Sequence, residues 1–138
     1  MTLRYLLDTN IVSVPISKKP IPSVVAKLRK RGAECAIAAP VWHDLLFGCA
    51  RLPPGKRRDA LQRYLDTVVR ASFPILPYDE ACAARHALAR ARLEVSGTPA
   101  PFVDGQIAAI ALVHELTMVT RDAAGFRNFD GLRVEDWG

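Results

Sequence analysis

The sequence predicts an α/β fold: a parallel sheet covered by helices on both faces. Two observations predict it. Short apolar runs alternate with stretches whose apolar residues recur every three or four positions, as strands alternating with helices do. Proline and glycine punctuate the junctions between them. In sheets of this kind ligands bind beyond the carboxyl ends of the strands, so the residues just after each strand matter most.

The first apolar run, Leu3-Arg4-Tyr5-Leu6-Leu7, reads as a buried strand ending at Asp8. Pro15, Pro20 and Pro22 make Val14–Pro22 a loop, and a helix fits Ser23 to Arg31 with Gly32 as its stop. A second strand fits Cys35–Ala39, and Pro40 suits the first turn of a helix running to about Arg51. After Pro53-Pro54-Gly55 comes a longer helix, Lys56 to Ala71, with Leu61, Tyr64, Leu65, Val68 and Val69 on one face. Phe73–Leu76 reads as a strand. The next helix sets Ala81, Ala84, Leu88, Ala91 and Val95 on one stripe and ends at Gly97. A helix near Asp104–Glu115, a strand Thr117–Thr120 and a short strand Leu132–Val134 complete the chain.

The 138 residues are one domain's worth, half of them apolar and about a quarter charged, which is a globular composition. The longest apolar stretches, Cys35–Trp42 and Ile107–Val113, fall far short of the roughly 18 residues of a membrane span. Met1-Thr2-Leu3-Arg4-Tyr5 lacks the features of a signal peptide, so a cytoplasmic location with no membrane association is expected. Cys35, Cys49 and Cys82 are widely spaced and form no zinc pattern; they read as small buried residues in a reducing compartment. His43, His86 and His114 form no ligand pair, and His114 reads as a helix-terminus residue. The net charge of +5, with Lys and Arg grouped at 27–31, 56–63 and 85–92, favours a polyanionic partner, although a solvated helix face accounts for such groups equally well.

Four acids stand where a parallel sheet would gather them. Asp8 follows the first strand and could equally cap the turn through Thr9 and Asn10. Asp44 shares a helical stripe with Val41, Leu45 and Gly48, which sets a carboxylate into an inward face; the alternative is an exposed Asp at the stripe's edge. Asp104 lies on the stripe of Ile107, Ala108 and Ala111, and an acid in a first turn is also favoured by capping and the helix dipole. Asp122 follows the Thr117–Thr120 strand and could cap a short helix. Four carboxylates in one pocket need counter-ions, because each raises its neighbours' pKa. Without a His or Cys cluster, Mg²⁺ or Mn²⁺ fits better than zinc.

These motifs resemble PIN-domain ribonucleases, specifically VapC-like toxins of toxin–antitoxin modules. The matching text is Tyr5-Leu6-Leu7-Asp8-Thr9-Asn10, Trp42-His43-Asp44-Leu45-Leu46-Phe47-Gly48, Asp104-Gly105-Gln106-Ile107-Ala108-Ala109 and Val119-Thr120-Arg121-Asp122, with Phe126 and Gly131-Leu132-Arg133-Val134. The set spans nearly the whole chain in the family's order. The resemblance implies a three-layer α/β fold with a central parallel sheet, residues 1–138 forming a single PIN-like domain. It also implies hydrolysis of RNA phosphodiesters by a metal-activated water, and inhibition by a VapB-like antitoxin protein. Asp8 and Asp104 would be principal metal ligands and Asp122 a further acid. Thr120 would hold a metal-bound water or orient Asp122, and Asn10 would support Asp8. A homodimer is expected on the same ground. The position of Asp44 is usually Glu in this family; the side chain here is roughly 1.5 Å shorter, so either its contact with a metal would pass through water or one metal position would weaken.

That departure leaves a second reading, a catalytically weakened PIN domain that binds RNA or an antitoxin without turnover. A third, an aspartyl-phosphate phosphatase, rests on Asp8-Thr9-Asn10 after an N-terminal strand, but Asn10 stands where a second Asp is needed and a lysine near the later acids is missing.

Overall fold

The protein, described from a computed structural model covering residues 2–138, is built on five strands: β1 (Tyr5–Leu7), β2 (Cys35–Ala38), β3 (Ile75–Leu76), β4 (Thr117–Val119) and β5 (Val134–Glu135). Met1, with which the expected leaderless start opens, lies outside the described residues. Every strand pair is parallel and the order is β3-β2-β1-β4-β5. Tyr5 pairs with Cys35 on one side and Thr117 on the other, which makes β1 the central strand. All residues of β1, β2 and β4 are buried, as strands covered on both faces must be, and this explains their unbroken apolar text. The edge strands β3 and β5 are only partly covered.

Among the described residues eight helices flank the sheet: α1 (Thr9–Val12), α2 (Pro22–Arg31), α3 (Ala39–Ala50), α4 (Lys56–Tyr64), α5 (Arg70–Ser72), α6 (Glu80–Val95), α7 (Phe102–Val113) and α8 (Ala123–Phe126). The expected α/β architecture, a central parallel sheet between helices, is what the chain adopts. The three cysteines are buried and free, as expected. Among the described residues no helix is long and apolar enough to cross a membrane.

Several local expectations are corrected. The stretch Val14–Pro22 is not all loop: Val14–Ile16 make a 3-10 turn, and Pro22 opens α2, where its missing N–H costs nothing. Gly32 stops α2 without a left-handed turn, keeping φ at −54° and leading into a 3-10 turn, Gly32–Glu34. The single helix expected over Lys56–Ala71 contains a π turn at Leu65–Val69 between α4 and α5. Its wider winding keeps Leu65 and Val69 buried in line and rotates Val68 outward, to 44% exposure.

The largest correction concerns α6. The stripe Ala81, Ala84, Leu88, Ala91 and Val95 faces solvent, and the buried positions are Cys82, His86 and Leu93. Alanines on every side blur the periodicity of this helix. Its phase is set by the Asp79 side chain, which accepts from the Cys82 amide at 3.0 Å, and by His86, which is buried in a hydrogen bond with Tyr78. Helix α7 starts at Phe102 and ends at Val113, two residues earlier at each end than expected. Glu115 then takes a left-handed φ of +55° so that the Leu116 amide can return to the Ala111 carbonyl at 2.8 Å.

Candidate active site

Because the strands are parallel, their carboxyl ends share one edge, and the residues leaving them meet there. Asp8 leaves β1, Thr120 leaves β4, and Asp44 sits in the helix that leaves β2. Helix α7 runs back toward the start of β4, so Asp104 in its first turn lies at the same edge.

Asp8 is both cap and candidate ligand. Its Oδ1 accepts from the Thr9 amide at 2.8 Å, and its Oδ2 accepts from Thr120 Oγ1 at 2.8 Å. A carboxylate has about four lone-pair sites, so these two bonds fix the group and leave capacity facing the site. The Thr120 hydroxyl also accepts from the Asp122 amide at 3.0 Å and, at a longer 3.4 Å, from Asn10 Nδ2. One donor and two acceptor sites are all a hydroxyl has. Thr120 therefore orients Asp8 through its proton and braces the Asp122 amide through its oxygen. Asn10 reaches Asp8 only through Thr120, and its Oδ1 accepts from the Arg121 amide at 3.1 Å.

Asp104 is half-buried. Asp44 lies at the rim with its side chain 46% exposed, so the inward placement is corrected in favour of the edge position: its stripe partners Val41 and Leu45 are buried and it is not. Asp122 is exposed and makes no side-chain cap to α8; its carboxylate lies over Gly125, where a Cβ would stand 2.7 Å from Oδ2.

The acids feel one another. Burial pushes the Asp8 carboxyl above its ordinary value, the Thr120 and Thr9 bonds pull it down, and the charges of Asp122 and Asp44 push it up again. Asp104 is likewise raised, first by burial, then by Asp8, Asp122 and Asp44. Among the described residues no three acidic, His or Cys side chains close round one point as a finished cage. Four mutually repelling carboxylates at an open edge suit a hard cation that keeps its waters and takes one or two carboxylates plus a substrate phosphate. They do not suit zinc, which wants a closed N/S set.

Residues 5–132 match the PIN domain family. The chain belongs to that family. As a PIN domain it is 36% identical to the toxin FitB of Neisseria gonorrhoeae over 96% of this chain and 97% of that one. It is 32% identical to VapC ribonuclease Y4jK of Sinorhizobium fredii, over 88% of this chain and 89% of that one. The crystal structure of FitAcB from Neisseria gonorrhoeae superposes with a TM-score of 0.90 at 34% identity, covering 96% of this chain and 97% of that one.

Two features of this PIN domain escaped sequence reasoning. His86 packs edge-to-face on Tyr78 and against Phe102, and its ring fills the space beside Gly105, so that a Cβ on Gly105 would meet Nε2 inside van der Waals contact and Cδ2 at 2.7 Å. The residue next to Asp104 must be small for this reason, and a glycine inside a helix was the available signal. Gly125 is small for the same reason, under Asp122.

Proposed function

We propose that this PIN domain is an endoribonuclease, the toxin of a toxin–antitoxin pair, cutting RNA phosphodiesters with Mg²⁺ or with Mn²⁺ in its place. The observation that carries this reading is the group of four acids at one sheet edge, two of them held above their ordinary pKa by burial and by the others. Relatives named as a toxin and a ribonuclease support it over nearly the full chain.

In this reading Asp8, Asp104 and Asp122 hold the cation, with Asp44 acting through water from the rim. A bound divalent ion supplies positive charge that acidifies an attacking water and stabilises charge on the scissile phosphate and leaving oxygen. The protein's own part is to aim the ligands. Thr120 fixes one Asp8 oxygen and the Asp122 amide together, Asn10 braces Thr120, and Gly125 leaves room for the Asp122 carboxylate. Surface Lys and Arg groups hold the RNA backbone.

The partner is a VapB-like antitoxin. FitB is named a toxin, and the FitAcB structure resembles this chain closely. A groove lined by Pro15, Val25, Leu28, Tyr64, Val68 and Phe73 offers the apolar seat that an inhibitory segment needs. Co-purification with the product of an adjacent small reading frame tests this. The homodimer is checked by sedimentation, and the cytoplasmic location by fractionation.

The decisive experiment incubates folded, antitoxin-free protein with a pooled structured RNA and Mn²⁺ or Mg²⁺, with EDTA and Asp8→Asn controls. Cutting that both controls abolish is expected. No cutting, or cutting that survives Asp8→Asn, overturns the reading.

A further inference from the structure

Helix α3 carries more than Asp44 on its exposed face. The rings of His43 and Phe47, one turn apart, are stacked with centroids 6.1 Å apart and only 3° between their planes. The Arg51 guanidinium lies 5.4 Å from the centre of the Phe47 ring. Three flat groups thus follow one another along one helix face. The stack is open: the His43 side chain is 75% exposed and Phe47 is 55% exposed. It adjoins the rim acid, because His43 Nδ1 lies 3.4 Å from Asp44 Oδ1. Past Arg51 the chain presents Lys56 and Arg57 to solvent.

We propose that His43, Phe47 and Arg51 form a stacking platform for an unpaired RNA base, placing the strand so that its phosphate reaches the carboxylates. The proposal rests on the ribonuclease reading above and adds the groups that position its substrate. Single-stranded nucleic acid is commonly gripped by aromatic or guanidinium faces under the bases and cations along the phosphates, and here the two follow one another along the chain. Phe47 presents an exposed aromatic face flanked by an imidazole and a guanidinium, the kind of surface on which an unpaired base stacks. A second copy of the chain is the less fitting cover. A polyanion neutralises Arg51, Lys56 and Arg57 together, a charge complementarity that a second copy of a chain with net charge +5 does not offer.

The test uses the full chain as Asp8→Asn, so that bound RNA stays intact. Anisotropy compares a labelled single-stranded RNA with an abasic strand of the same length, which keeps the phosphates and lacks the bases. RNA is expected to bind the more tightly. Phe47→Ala should weaken RNA binding on the order of tenfold and leave the abasic strand unchanged, while Phe47→Tyr should restore it. In a Phe47→Trp variant, RNA should quench the added fluorescence, measured against the parent with Trp42 and Trp137, and the abasic strand should not. Equal affinity for RNA and abasic strands, or no loss in Phe47→Ala, overturns the platform. So does a Phe47→Ala variant that changes sedimentation but not RNA affinity, since the patch would then join two copies. Cleavage by the unsubstituted chain is measured in parallel. Cutting with no base dependence fails the platform alone; base-dependent binding without any metal-dependent cutting fails the ribonuclease reading alone.

Discussion

The Thr120 hydroxyl donates to the Asp8 carboxylate at 2.8 Å and accepts from the Asp122 amide at 3.0 Å, tying the ends of two adjacent strands through one oxygen. Thr120 is wholly buried, so replacing it with Val leaves the half-buried Asp8 carboxylate and the Asp122 amide each without this partner. Thr120→Val should cost about 1–3 kcal/mol in urea unfolding and cut RNA cleavage by at least about tenfold. Thr120→Ser, which keeps the oxygen, should recover most of the cleavage.

The acids destabilise the fold they serve. Asp8 and Asp104 have folded pKa values raised above the ordinary carboxyl value of 3.8. Between that value and the raised one the folded state binds more protons than the unfolded, so stability falls as pH rises through this window and stays lowered above it. At neutral pH without added metal, Asp104→Asn should therefore melt at a higher temperature than the parent. The difference should vanish near pH 3. Mn²⁺ should raise the parent's melting temperature and leave the variant's nearly unchanged, as thermal scans with and without EDTA will read.

Gly105 and His86 form a steric pair. Gly105→Ala drives a methyl into an imidazole held by Tyr78 at 2.7 Å, and should destabilise by about 1–3 kcal/mol while displacing the first turn of α7 and Asp104 with it. His86→Ala costs stability on its own, yet added to Gly105→Ala it should cost less than the sum of the two. A double-mutant cycle by chemical denaturation measures that coupling.

Glu115 holds a left-handed φ of +55° that glycine adopts freely. Glu115→Gly is expected to stabilise, by up to about 1 kcal/mol, in the same assay. Loss of stability would show that the Glu side chain earns its place through contacts outside its backbone.

The central strands were legible in the sequence because strands buried on both faces must be apolar throughout, and β1, β2 and β4 are. Asp8 and Asp104 stood out for a related reason: a carboxylate directly after such a strand, or in the first turn of an apolar helix, interrupts the text abruptly. Asp44 was misplaced because a stripe one residue wide cannot tell the inner face from its rim. The inward face of α6 was missed because it depends on a histidine buried by Tyr78, a partner eight residues away whose contact only the folded chain reveals. The π turn in Leu65–Val69 has no composition of its own, and only the outward rotation of Val68 betrays it.

Asp8 and Thr120 are 112 residues apart in sequence, and β4 carries Thr120 and Asp122 to β1 only after most of the chain has been synthesised. A polypeptide still emerging from the ribosome has β1 and β2 but an empty edge where β4 will pair. Asp8 at that stage lacks Thr120, Asp122 and Asp104 alike. On the proposed reading a nascent toxin has no assembled group of acids until β4 and the segment that follows it have been made and have paired with β1.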